Sequence, residues 1–240
     1  MEKIHFISYG DEKFKIAKKR IYNEAINTNW FDSIKCYGKE DLTSDFVKEF
    51  EKILSFNRGC GYWVWKFDII LNRLQEINNG DFLIYADSGC SINLDGKKRF
   101  YEYIEMIKNN KYKIISFELN YPENMWTTNE IFNSFDISEN NILRKSKHLM
   151  ATIMIMQKCD EVINIFKDSL YKIKKNPLLI TDYYNNNQKY YFKDNRHDQS
   201  ILSVCRKKYG TIIITDETWY NNFNDEYVKK YPFLATRKKN

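Results

Sequence analysis

Short apolar runs alternate along the chain with longer stretches in which apolar residues recur every third or fourth position. The sequence therefore reads as strands alternating with helices. Ile4 to Tyr9 is the first run and ends at Gly10. Phe14, Ala17, Ile21 and Ala25 then share one helical face while Lys15, Lys18 and Lys19 lie off it, which is the opening of a β-α unit. Trp30 to Tyr37 predicts a second strand, and a helix capped by Ser44 or Asp45 carries Phe46, Phe50, Ile53 and Leu54. A glycine-aromatic-basic turn, RGCGYWVWK at Arg58 to Lys66, precedes a helix with Phe67, Ile70, Leu71, Leu74 and Ile77 on one face, stopped by Asn79-Gly80. Asp81 to Asp87 follows as a strand apolar on both faces, the pattern of a central parallel strand.

Phe100, Ile104 and Ile107 mark a further helix, and Tyr112 to Leu119 a strand. The region from Tyr121 to Lys145 lacks a clear period and predicts irregular chain with a short helix near Glu130. Leu149 to Met156 reads as one strand, and Asp160 to Lys175 as a helix with Val162, Ile163, Phe166, Leu170 and Ile173 inward. Tyr183 to Asn195, rich in asparagine and tyrosine, predicts a mobile loop. A helix opens at RHDQSILSVC, and Thr211 to Thr215 is a last strand before an aromatic tail. No internal repeat or low-complexity linker divides the sequence, so residues 1–240 are expected to form a single α/β domain, a mostly parallel sheet flanked by helices.

Composition narrows the class. Hydrophobic residues make up 43% and charged residues 29%, which excludes wholesale disorder. The 18 tyrosines, 16 phenylalanines and 5 tryptophans offer amphipathic ring surface suited to sugars, bases or other flat polar ligands, and equally to a tyrosine-rich core. Net charge is +6, spread along the chain with a short basic end at Arg237, Lys238 and Lys239. That balance suits anionic ligands or peripheral contact with an anionic membrane surface, and falls short of the basic stripe of a nucleic-acid binder. The five cysteines, Cys36, Cys60, Cys90, Cys159 and Cys205, are scattered singly, so neither a disulfide framework nor a zinc site is indicated. The opening MEKIHFISYG has too short an apolar run for a signal peptide, and no run is long enough to span a membrane; a soluble, cytoplasmic protein is expected.

Four places carry candidate chemistry. Asp87 ends a buried strand in YADSGC, where Ser88 and Gly89 let a ligand approach the backbone; its carboxylate could hold Mg²⁺ or Mn²⁺ beside a diphosphate, or cap the turn. Arg58 and Lys66 flank the glycine-aromatic turn at a helix start, where backbone N–H groups and two cations meet phosphate; alternatively Trp63 and Trp65 plug the core and the cations are surface residues. The dinucleotide fingerprint is absent there, because Val64 fills its last glycine position. Asp198 in RHDQS could take a proton from an attacking hydroxyl and His197 could ligate the metal held by Asp87, or Asp198 could be a helix N-cap. Ser8, Tyr9 and Gly10 end the first strand, a usual place for a nucleotide. His5 and His148 read as structural.

Together, NRGCGYWVWKFDIIL at Asn57 to Leu71, GDFLIYADSGCSIN at Gly80 to Asn93 and RHDQSILS at Arg196 to Ser203 resemble a family of small GT-A-type glycosyltransferases. That family is found in bacterial surface-polysaccharide clusters and in large DNA viruses. The resemblance implies a GT-A-like, Rossmann-like fold with a nucleotide-sugar-binding half at 1–119 and an acceptor-side half at 120–240. It also implies a UDP- or GDP-linked sugar donor, a glycan or lipid-linked glycan acceptor, and a divalent cation at a D-x-D element. Here Asp87-Ser88-Gly89 lacks the second carboxylate, so metal binding would rest on Asp87, the donor and His197, or Lys66 and Arg58 would serve without metal. On this reading Ser8, Tyr9, Arg58, Lys66, Asp87, Ser88 and Gly89 bind the donor. Asp198 is catalytic, as base if the reaction inverts or by orienting the sugar if it retains, and Tyr183 to Asn195 closes over the donor. A nucleotidyltransferase and a non-catalytic glycan- or nucleotide-binding module are the rival readings; Ser8-Tyr9-Gly10-Asp11 offers only one glycine to the first of these.

Overall fold

The structure, a computed structural model, describes residues 2–239. Its strands are β1 (Ile4–Tyr9), β2 (Ser33–Tyr37), β3 (Phe82–Ala86), β4 (Ser91–Ile92), β5 (Ile114–Pro122), β6 (Lys147–Leu149), β7 (Ile153–Gln157), β8 (Ile212–Thr215) and β9 (Phe233–Leu234). The long helices are α1 (Lys15–Thr28), α2 (Trp65–Glu76), α3 (Lys97–Lys108), α4 (Asp160–Lys175) and α5 (Asp198–Tyr209). The main sheet runs β2-β1-β3-β7-β5-β6, with β8 pairing β5.

Period-two alternation along the strands sorts the core into two layers. Ile7, Tyr9, Leu83, Tyr85, Met154 and Met156 face α2, α4 and α5. Their neighbours Phe6, Ile84, Ala86, Ile153 and Ile155 face Ile21 and Ala25 of α1 and Phe100, Ile104 and Ile107 of α3. The result is helices on both sides of one sheet. Each fully buried Ile or Phe here contributes about 1.5–3 kcal/mol to holding the layers together.

The expected elements fall close to their predicted places, with three differences. First, the sheet is mixed rather than mostly parallel. β1 runs parallel to β2 and β3, and β5 parallel to β8, but β7 runs antiparallel to both β3 and β5, as does β6 to β5. Second, the apolar run Leu149 to Met156 is two strands. The break at 150–152 frees backbone carbonyls, and buried Arg206 of α5 donates to those of Leu149 (3.3 Å) and Met150 (2.6 Å). Third, the helix expected to be capped by Ser44 or Asp45 is two short helices, Ser44–Glu49 and Glu51–Leu54, preceded by Thr43, whose hydroxyl donates to Asp68 (2.9 Å).

Parallel running of β1, β3, β5 and β8 brings their carboxyl ends to one edge, where β7 begins. The tail returns to that edge: β9 pairs antiparallel with β4, and Lys238 N donates to Gly89 O at 2.9 Å. His5 is structural as expected, held between Ser33 (2.7 Å) and Asp81 (3.3 Å). His148 is buried 2.7 Å from Glu123. Among the described residues no helix is long and apolar enough to cross a membrane.

Candidate active site

The carboxyl edge of the sheet carries a cleft of about 780 Å³. Tyr9, Arg58, Lys66, Asp87, Ser88, Gly89, His197 and Asp198 all line it, so residues of distant segments meet in one cleft. Ser8 does not line it: its side chain is fully buried, and its hydroxyl has no hydrogen-bond partner.

At the centre Lys66 joins two carboxylates. It sits in the first turn of α2 and is only 2% exposed. Its Nζ donates to Asp198 Oδ2 at 2.5 Å and to Ala151 O at 3.1 Å, and lies 3.4 Å from Asp87 Oδ1. The break between β6 and β7 supplies that carbonyl. Asp87 also accepts from the Tyr85 hydroxyl. Burial works against the Lys66 charge, but Asp198 and Asp87 more than offset it and raise its pKa, so the ammonium is retained. Burial raises Asp198 to about 6 against the opposing pull of Lys66. Asp198 is thus no helix cap. It is the first residue of α5, the preceding cap position is His197, whose side chain makes no capping bond, and its carboxylate accepts from Lys66.

The glycine turn before α2 has an unusual backbone. Gly59, Cys60, Gly61, Tyr62 and Trp63 all have positive φ, between 50° and 92°. Tyr62 N donates to Arg58 O and Trp63 N to Gly59 O, giving one turn of left-handed helix. Left-handed winding costs L-residues roughly 1–2 kcal/mol each, so the surroundings must impose it. Trp65 Nε1 donates to Gly59 O (2.9 Å), Cys60 Sγ to Asp11 Oδ2 (2.5 Å), and Trp63 stacks on the His197 ring at 5.4 Å. Trp65 in turn stacks on Tyr9 at 3.7 Å, leaving Tyr9 5% exposed. Trp65 is therefore a core plug, while half-buried Trp63 faces the cleft.

Arg58 is half exposed and bonded to Asp182 (2.8 Å), with Asp194 at 3.7 Å. Asp182 directly precedes the segment 183–195 and Asp194 is its penultimate residue, so one guanidinium ties both its ends. The segment has neither helix nor strand, yet Lys193 N donates to Met125 O and Asn195 Nδ2 to Leu179 O and Thr181 O.

The expected metal pair is not brought together. His197 Nδ1 donates to Ile180 O (2.9 Å), and its Nε2 points to Asp182 Oδ1 at 3.6 Å while Asp87 is engaged with Lys66 and Tyr85. Burial lowers the His197 pKa, so the ring is held neutral. Gly89 stands where a second carboxylate would be, its carbonyl bonded to Lys238 N and Thr236 Oγ1. Among the described residues no group of three or more His, Cys, Asp or Glu side chains is placed to hold a metal ion. The donor set does not fit a protein-built metal site.

Several residues at or behind the site had no signal in the sequence. Arg20 of α1, outside the cleft lining, braces the Asp87 turn by donating to Ser88 O and Cys90 O, both at 2.9 Å. Asp216 and Trp219, just after β8, and Tyr121, at the end of β5, extend the cleft. A carboxylate and an indole three residues apart after a strand would have been the only hint.

No protein-family model matches the sequence, and no curated protein matches it. Solved structures do. The chain is similar to a glycosyltransferase involved in the glycosylation of the major capsid of PBCV-1, with TM-score 0.52 and 10% identity over 97% of this chain and 92% of that one. It is similar also to mouse xyloside xylosyltransferase 1, with TM-score 0.52 and 8% identity over 97% of each chain. At these identities the likeness is one of fold, and the fold is of the GT-A type, as the resemblance in sequence implied.

Proposed function

We propose that this protein transfers a sugar from a nucleoside-diphosphate donor, UDP- or GDP-linked, to a hydroxyl of a glycan or lipid-linked glycan. The observation that carries this reading is the Asp87–Lys66–Asp198 group on the cleft wall of a GT-A-type sheet. A buried ammonium and a buried carboxylate are costly unless used, since Lys66 and Asp198 both lose their water while Asp87 keeps part of its own.

The nucleoside would lie against the end of β1 and the left-handed turn, beside Tyr9, Asp11 and Gly59. Its diphosphate would face Arg58 and the basic tail Arg237, Lys238 and Lys239, whose charges meet the anion that develops as the donor bond breaks. In the reaction the acceptor oxygen bonds to the anomeric carbon while the bond from that carbon to the diphosphate oxygen breaks. The hydroxyl proton passes to Asp198, and the nucleoside diphosphate leaves. A carboxyl at about 6 is ionised at neutral pH yet basic enough to share that proton. Ser88 and Gly89 would contact the sugar through backbone. A diphosphate engaging Arg58 competes with Asp182 and Asp194, so donor binding would also reset the segment 183–195, excluding water from the bond.

The test is release of nucleoside diphosphate by purified protein from a panel of UDP- and GDP-linked sugars, run with and without Mn²⁺ and repeated on Asp198→Asn. Release from one donor, lost in the variant, is expected. Indifference to every donor overturns the reading.

A further inference from the structure

The cleft continues past Asp198, away from β1, to a second chemically distinct end. There Trp219 is 48% exposed, an unusual state for an indole in a protein whose other tryptophans are largely covered. Asp216 stands beside it, fixed by Thr218, whose N and Oγ1 donate to Asp216 Oδ1 at 2.9 and 2.7 Å. The Tyr121 hydroxyl faces the Gln199 side chain, near the charges of Arg196, Arg237 and Asp216. Arg196 lies flat on Trp126, 3.9 Å from its ring centre, and its buried Nε has no partner.

We propose that this end is the acceptor subsite, and that it takes a pyranose ring stacked on Trp219 with its hydroxyls on Asp216 and Gln199. The inference rests on the transferase reading and adds to it the position and chemical class of the acceptor. An exposed aromatic face receives the C–H face of a sugar, and a fixed carboxylate receives its hydroxyl protons. A sugar here shares the cleft with Asp198, which must take its proton, and Gln199 follows Asp198 directly in α5.

The experiment is saturation-transfer NMR with a panel of methyl α- and β-pyranosides of glucose, galactose, mannose and xylose. It is run on wild type, Trp219→Ala, Trp219→Phe and Asp216→Asn, each checked for an unchanged melting midpoint. At least one pyranoside should receive saturation, strongest on the protons of one ring face. Trp219→Ala should raise its half-saturation about tenfold, Trp219→Phe should recover most of that, and Asp216→Asn should weaken binding about fivefold. No pyranoside binding, an unmoved Trp219→Ala, or displacement of the pyranoside by UDP alone overturns the proposal. Binding of UDP to the same wild-type sample is scored separately, so loss of the acceptor subsite and loss of the transferase reading give different results.

Discussion

The Lys66 ammonium lies 2.5 Å from the Asp198 carboxylate although 132 positions separate them in the chain. Lys66 also lies 3.4 Å from Asp87, so one cation fixes two acids delivered by different elements. Replacing it by methionine leaves both carboxylates close together without their counter-charge. We expect Lys66→Met to lose about 3–5 kcal/mol of stability, measured by urea unfolding at pH 7. Donor turnover should fall at least as far as in Asp198→Asn.

Asp198 must be ionised to accept a proton. Since its pKa is raised to about 6, kcat/KM should be flat above pH 7 and fall as pH drops through about 6. Asp198→Asn should lower kcat by roughly 10²–10⁴ and abolish that limb. A pH–rate profile on both proteins checks it.

Acid stability should be set elsewhere. Glu123 is fully buried; burial alone would raise its pKa, but His148 and Lys207 outweigh it and hold the carboxyl at about 2. A depressed carboxyl stabilises the fold above its ordinary value of 4.5 and loses that contribution as pH falls toward 2. Wild type should therefore weaken by about 3 kcal/mol between pH 5 and pH 2 from this group alone. Glu123→Gln should be less stable at pH 7 and lose less on acidification, as read from urea midpoints.

The left-handed turn makes its own prediction. At Gly61, with φ of 92°, a Cβ would stand 2.8 Å from Leu54 Cα and 2.9 Å from Ile53 O. Gly61→Ala should cost about 2–4 kcal/mol through strain and backbone contact together. A drop in melting midpoint measures it.

Arg58 ties Asp182 to Asp194 across the segment 183–195. Arg58→Ala should raise the rate of limited proteolysis within that segment severalfold while cleavage elsewhere is unchanged.

Much of the fold was legible because apolar period reports which face of an element is buried. The same signal says nothing of strand direction. Reversal of β7 is invisible in Leu149 to Met156, and so is the break at 150–152, because Met150 and Ala151 are as apolar as the strands they separate. The site was half legible. Asp87, Arg58, Lys66 and Asp198 stood out as charges set in turns and apolar runs, but their pairing did not, since sequence carries no distance between residues 66 and 198. His197 does not partner Asp87, because its ring is held by Ile180 O and stacked on Trp63, contacts that its sequence neighbours do not disclose. Trp219 and Asp216 lay in an aromatic tail without period.

From Gly59 to Trp63 the main chain is the mirror image of an ordinary helical turn. The amino acids whose chirality suits it are D-residues, which the ribosome does not supply, and glycine, being achiral, is the nearest substitute at two of the five places. A semisynthetic protein carrying D-alanine at Gly59 would keep the winding that L-alanine resists, both through its φ and because an L-Cβ would stand 2.4 Å from the Trp63 ring.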